Sequence, residues 1–114
     1  MQLSNFDNIR KFYFIGIGGI SMSALAKFLL AGGYEVAGSD MTAGEQTEEL
    51  ALCGVKIFIG GDAGNPLLRD ADAVVYTSAV SEENAELKEA RARGKKIWPG
   101  GERLPQVPGQ FIGS

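Results

Sequence analysis

Histidine is absent from this 114-residue chain, and cysteine occurs once, as Cys53. Without histidine there is no Ser-His-Asp nucleophile and no imidazole general base, and the commonest zinc ligand is missing. A single cysteine excludes an internal disulfide and fits a reducing compartment. A strong excess of one charge is also lacking. The net charge of −3 offers no general attraction for nucleic acid or an acidic membrane surface. No apolar run reaches the roughly 20 residues that cross a bilayer, and the N-terminal stretch carries no signal-peptide pattern. A cytoplasmic protein with no nucleic-acid and no membrane partner is expected.

What the chain does have is glycine, 16 residues of it, and a hydrophobic content of 45%. The glycines stand at the ends of apolar runs rather than in low-complexity tracts, and the length suits one domain with its own core. The most informative stretch is 12–30. Its first residues, Phe12-Tyr13-Phe14-Ile15, form an unbroken apolar run, as in a strand covered on both faces. Gly16, Gly18 and Gly19 then predict a tight turn. Ile20 to Leu30 predicts a helix, with Ile20, Ala24 and Phe28 at helical spacing. A strand, glycine turn and helix in this order aim backbone N–H groups and the positive end of a helix dipole at one point, which suits a phosphate or pyrophosphate. Ser21 holds the third position of the Gly-x-Gly-x-x-Gly pattern, where a small residue lets helix and strand pack closely.

Along the chain, strands are expected at 11–15, 34–39, 55–59, 73–77 and 95–98, and helices at 20–31, 43–53 and 82–93. Gly32-Gly33, Gly54 and Gly94 stop the helices. Thr42-Ala43-Gly44-Glu45 has capping-box spacing at the start of the second helix, whose apolar face is Thr47, Leu50 and Ala51. Leu67 and Leu68 predict a short turn tucked onto the core. Ser81 is a plausible N-cap of the third helix. Glu82, Glu83 and Glu86 ahead of Arg91 and Arg93 complement the dipole of that helix, so this charge run reads as a solvated face without function. Glu45, Glu48 and Glu49 likewise read as the polar side of a surface helix, and Cys53 as a core filler. The proline-rich tail reads as a linker, with room for one helical turn at 102–104. The domain is therefore expected over 1–98 and the linker over 99–114.

Alternating strands and helices imply an α/β fold: a Rossmann-like, doubly wound, parallel five-stranded sheet, order 3-2-1-4-5, with helices on both faces. Winding reverses between strands one and four, and the crevice at their carboxyl ends is the expected binding site. Topology alone places Gly16–Ser21 opposite Thr77–Ser81. Asp40, at the end of strand two, is suited to ribose hydroxyls or a base, or else caps the turn before the second helix. Ser39 beside it caps or contacts a ligand. Thr77 and Ser78 lack an obvious local task and are the better donors to a phosphate or sugar.

Phe14–Ser23, Gly38-Ser39-Asp40, Ile57-Phe58-Ile59-Gly60 and Val75–Val80, in matching order across residues 11–98, resemble the N-terminal domain of the UDP-N-acetylmuramate–L-alanine ligases. The murein-peptide recycling ligases are similar in this region. The resemblance implies a UDP-N-acetylmuramate-binding domain of an ATP-dependent amide-forming ligase of peptidoglycan biosynthesis. Such enzymes form an acyl phosphate on the lactyl carboxylate, which the amine of L-alanine attacks. It also implies a pyrophosphate on Gly18, Gly19, Ile20 and Ser21, uridine toward Asp40 and Gly60-Gly61, and a second wall from Ser78 and Ala79, with Thr77 and Val80 beside them. The family usually has glycine at position 21 and often histidine at position 61. ATP and magnesium belong to a further domain, and Phe111–Ser114 resembles the strand that leads into its phosphate loop. No Gly-Lys-Thr or Gly-Lys-Ser occurs in the chain, so by itself it is expected to be inactive and to hold no cofactor of its own. Its partners would be UDP-N-acetylmuramate and the remaining domains of the ligase. A glycine turn with an acid after strand two also suits an NAD-binding sensor or dehydrogenase domain, the alternative reading.

Overall fold

A computed structural model describes residues 9–100. The elements run β1 (Lys11–Ile15), α1 (Ile20–Ala31), β2 (Glu35–Asp40), α2 (Glu45–Leu52), β3 (Lys56–Ile59), α3 (Pro66–Asp70), β4 (Ala73–Tyr76), α4 (Ala85–Ala92) and β5 (Lys96–Pro99). All pairings are parallel, and the sheet order is β3-β2-β1-β4-β5, as expected. The register sets Ile15 of the central strand beside Ser39 and Tyr76. The carboxyl ends of β1, β2 and β4 therefore meet at one level.

β1 is buried on both sides because its residues alternate between two cores. Phe12 and Phe14 pack with Met22, Ala26, Leu29 and Leu50 beneath α1 and α2. Tyr13 and Ile15 pack with Leu68, Leu87 and Ala90 beneath α3 and α4. This period-two division explains a continuous apolar run in a doubly covered strand.

α1, α2 and α4 end alike. Tyr34, Val55 and Lys95 donate their N–H groups to the carbonyls of Leu29, Leu50 and Ala90, at 3.1, 3.0 and 3.1 Å. The preceding Gly33, Gly54 and Gly94 take φ of +94°, +99° and +70°. This is the Schellman arrangement, with a left-handed glycine just past the helix. Each motif delivers the chain to the amino end of the next strand.

The helix faces and starts differ from expectation in several places. The inward stripe of α1 is Met22, Ala26 and Leu29, whereas Ile20 is 78% exposed and Ala24 is also exposed. Ile17 fills the core beneath the glycine turn and so sets the rotation at which the helix begins. α2 starts at Glu45, later than expected. Its box is closed by Thr47, whose hydroxyl accepts from Gly44 N–H at 2.8 Å rather than by Thr42. Thr47 and Leu50 are buried while Ala51 is exposed. α4 starts at Ala85, with Asn84 as its cap accepting from Leu87 N–H at 3.0 Å. Ser81 instead accepts from Glu83 N–H in the loop, at 3.2 Å. Cys53, expected in the core, is exposed; it caps α2 just ahead of the Gly54 turn. The short turn expected at Leu67-Leu68 is present as the five-residue α3, capped by Asn65, with Leu68 buried in the core. The expected helical turn at 102–104 lies outside the described residues.

Candidate functional site

At the carboxyl end of β1 the chain turns sharply. Gly16 has φ of +87°, and a Cβ there would run into the Thr77 side chain. Its N–H and that of Ile17 both donate to Ser39 carbonyl oxygen, at 2.8 and 2.9 Å. The turn is thereby pinned to β2. Gly18 needs glycine for space alone, since a Cβ would lie 2.8 Å from the Asp40 carboxylate and 3.1 Å from the Thr47 methyl. α1 then begins at Ile20, with Gly19 as an N-cap that supplies no side-chain bond. The N–H groups of its first turn lack intrahelical acceptors and carry the positive end of the dipole.

Of the two tasks weighed for Asp40, the structure shows the cap of the turn, joined by a bond to the glycine turn. Its Oδ2 accepts from Gly18 N–H at 2.8 Å and its Oδ1 from Thr42 N–H at 3.3 Å. The carboxylate braces the glycine turn and caps the start of the β2–α2 loop. The N–H of Gly18, one of the groups expected to meet a pyrophosphate, is thus already engaged.

Across the crevice, Thr77 N–H donates to Ile15 carbonyl oxygen at 3.1 Å, and Val80 N–H to Thr77 carbonyl oxygen at 3.0 Å. A third wall comes from the loop after β3, where Gly60 N–H donates to Asp40 carbonyl oxygen at 2.7 Å. These walls enclose a cavity of about 740 Å³, within the usual range for small-molecule sites. Of the residues predicted from sequence, Gly16, Gly18, Gly19, Ser39, Asp40, Gly60, Gly61, Thr77, Ala79 and Val80 line it. Ile20, Ser21 and Ser78 do not, and all three are exposed beside it.

The floor of the cavity was not foreseen. Glu86, from the charge run expected to be a solvated face, is 3% exposed and is the one buried charged side chain among the described residues. Its Oε2 accepts from Tyr13 hydroxyl at 2.7 Å and from Asp62 N–H at 2.8 Å, and its Oε1 accepts from Ser39 hydroxyl. Asn65 donates from Nδ2 to Tyr13 Oη at 3.1 Å. Two strands and a loop are thus tied to one carboxylate of α4. None of the ion pairs among the described residues includes Glu86; hydrogen bonds rather than a cation compensate its burial. Burial, and then the hydrogen bond and charge of Glu86, push the Tyr13 phenol above its ordinary pKa. It therefore stays a neutral donor. Ile15, Asp62, Ala63, Met41, Ser81, Asn84 and Ala85 complete the lining. One sequence signal did point to this floor. A tyrosine inside a strand covered on both faces needs a buried partner for its hydroxyl.

The chain matches the sequence profile of the Mur ligase family, catalytic domain, over residues 11–111. It is 46% identical over 101 residues to the UDP-N-acetylmuramate–L-alanine ligase of Aquifex aeolicus, covering 89% of this chain and 22% of that protein. Among solved structures it resembles the UDP-N-acetylmuramate-alanine ligase of Thermotoga maritima, with a TM-score of 0.75 and 38% identity over 79% of this chain and 20% of that one. A murein peptide ligase of Psychrobacter arcticus follows at a TM-score of 0.69 and 26% identity, over 77% of this chain and 18% of that one. The chain thus spans about a fifth of the length of these relatives. The sequence profile, the strand order and the glycine turn agree, and the chain belongs to the Mur ligase family.

Proposed function

We propose that this chain is the part of a UDP-N-acetylmuramate–L-alanine ligase that holds the UDP moiety of UDP-N-acetylmuramate. The observation that carries the reading is the cavity of about 740 Å³ at the reversal of strand order, with the uncapped N-terminus of α1 on one side and Asp40 on another, in a Mur ligase chain. The N–H groups of Ile20 and Ser21, with the Ser21 hydroxyl, take the pyrophosphate; Gly16, Gly18 and Gly19 form the turn beside it. Ribose and uracil lie toward Ser39, Asp40, Gly60 and Gly61, and Thr77, Ser78, Ala79 and Val80 form the facing wall. The recycling-ligase alternative has the lower identity among the two structures, 26% against 38%.

The binding domain covers residues 1–98 and the linker 99–114. β5 runs to Pro99, one residue past the proposed boundary, and Gly100 N–H donates to Tyr76 carbonyl oxygen at 2.8 Å. ATP and magnesium bind a further domain, because phosphoryl transfer in this class uses a lysine-bearing loop and no Gly-Lys-Thr or Gly-Lys-Ser is present. The parent protein then joins the lactyl carboxylate of the sugar nucleotide to the amine of L-alanine in the cytoplasm. No described helix is long and apolar enough to cross a membrane. Titration calorimetry of this chain with UDP-N-acetylmuramate, UDP and NAD tests the reading. Binding of both UDP compounds ahead of NAD is expected, and tighter binding of NAD overturns it. The chain alone is expected to hydrolyse no ATP.

A further inference from the structure

We propose that Glu86 is a positioning residue for the nucleotide: it latches the Gly60–Asp62 loop over the end of the cavity, and the ligand is held only while that latch is made. The inference rests on the nucleotide reading above. Two observations carry it beyond a core role. Glu86 accepts from Asp62 N–H at 2.8 Å, a loop backbone donor, while its other bonds, to Tyr13 and Ser39, anchor it to β1 and β2. Gly61 also lies against the same carboxyl: its φ is +81°, and a Cβ there would sit 3.4 Å from Glu86 Cδ and Oε1. The loop is therefore fitted to the carboxylate both by a hydrogen bond and by contact. The loop is tied to β2 through Gly60 N–H and Asp40 carbonyl oxygen, and to the start of α3 through Asn65 N–H and Asp62 carbonyl oxygen; between those two anchors Asp62 is exposed, and Glu86 supplies the hold toward the cavity. A carboxylate suits the task because the group must accept several hydrogen bonds at once, from donors that include a backbone N–H.

The geometry separates three substitutions. Glu86→Gln keeps an acceptor for Tyr13 and Asp62 N–H, and its amide can donate to Ser39, whose hydroxyl can reverse. Glu86→Asp keeps the charge but falls one methylene short of the loop. Glu86→Leu fills the same space and leaves the donors unpaired. The whole 114-residue chain serves for the test, with UDP-N-acetylmuramate titrated calorimetrically and exchange of the Asp62 amide followed by NMR at a temperature where circular dichroism shows each variant folded. Glu86→Leu is expected to weaken binding at least about tenfold, the loss of one hydrogen bond to a charged group, and to speed Asp62 exchange. Glu86→Gln should stay within about threefold of the parent on the same scale and keep the amide protected. If Glu86→Leu does not fold, Glu86→Asp decides: weaker binding and faster Asp62 exchange support the latch. A folded Glu86→Leu or Glu86→Asp variant that binds like the parent, or a Glu86→Gln variant as impaired as Glu86→Leu, overturns it. A parent chain that binds no UDP compound overturns the nucleotide reading and this proposal together, whereas a binding parent with an indifferent Glu86 sinks the latch alone.

Discussion

The two ends of the sheet are built on different terms. At the amino end of the strands, Gly33, Gly54 and Gly94 repeat one motif, and a Cβ at any of the three would meet nothing within 4 Å. Glycine is there for backbone angle only. At the carboxyl end the loops share no motif, and three glycines answer to a neighbour, Gly16 to Thr77, Gly18 to Asp40 and Thr47, and Gly61 to Glu86, while Gly60 serves backbone angle alone. The first end closes helices, a task every helix poses in the same form. The second end shapes a cavity, so its parts are fitted to one another rather than to a standard.

That contrast can be broken or sharpened by substitution. The largest effect is expected from Gly16→Val, which adds a collision with Thr77 to a left-handed angle. A loss of about 3 kcal/mol or more should appear in denaturant unfolding, with nucleotide binding abolished. A variant as stable as the parent would show that the turn adapts and that this end is no more fitted than the other. Next comes Tyr13→Phe, which removes one bond to the buried carboxylate and should cost about 1–3 kcal/mol near neutral pH. Its signature is in alkali. The phenol titrates near pH ~10 in the unfolded chain and higher in the folded one. Its contribution is therefore complete below about pH 10 and falls as pH rises above it, because there the unfolded chain holds fewer protons. The stability gap between parent and variant should narrow over that range; a constant gap would exclude the assigned cause.

Asp40→Ala and Gly18→Ala act on one contact from its two sides. Each should weaken UDP-N-acetylmuramate binding by about two- to hundredfold, the loss of a hydrogen bond of 0.5–3 kcal/mol. The double variant should lose less than the sum of the two, measured by calorimetry, since the Gly18 N–H to Asp40 bond can be broken only once. At the other end, Gly33→Ala, Gly54→Ala and Gly94→Ala should each cost about 1–2 kcal/mol of stability and leave nucleotide affinity at the parental value. A shifted affinity in any of them would erase the distinction between the ends. The smallest effect is expected from Arg93→Ala, which removes an exposed partner of Glu89 on α4; thermal unfolding should register about 0–1 kcal/mol.

Legibility follows the same division. The Schellman turns could be read because a glycine after an apolar stretch has few other uses. The starts of α2 and α4 could not, because Thr42 and Ser81 cap as well in principle as the Gly44–Thr47 pair and Asn84 do in fact. Ten of the thirteen predicted site residues line the cavity, because a parallel sheet that reverses direction must place its crevice there. The phase of α1 stayed hidden, since its Ala-, Leu- and Met-rich surface offers more than one apolar stripe.

From the residues alone came the strand–helix alternation, hence the parallel sheet and its order, and the glycine turn with an acid after the second strand. Those features are local, or follow from the hand of the crossovers, so a linear pattern carries them. Only the tertiary structure decided that Ile17 rather than Ile20 enters the core, that Asp40 is spent on Gly18, and that one acid of an ordinary-looking charge run is buried. Glu82 and Glu83 face solvent while Glu86 lies under the cavity. Their side chains share the same chemistry and nearly the same place in sequence. What separates them is where α4 begins and what β1, β2 and the Gly60–Asp62 loop bring to meet it, and those are distances no single stretch of chain contains.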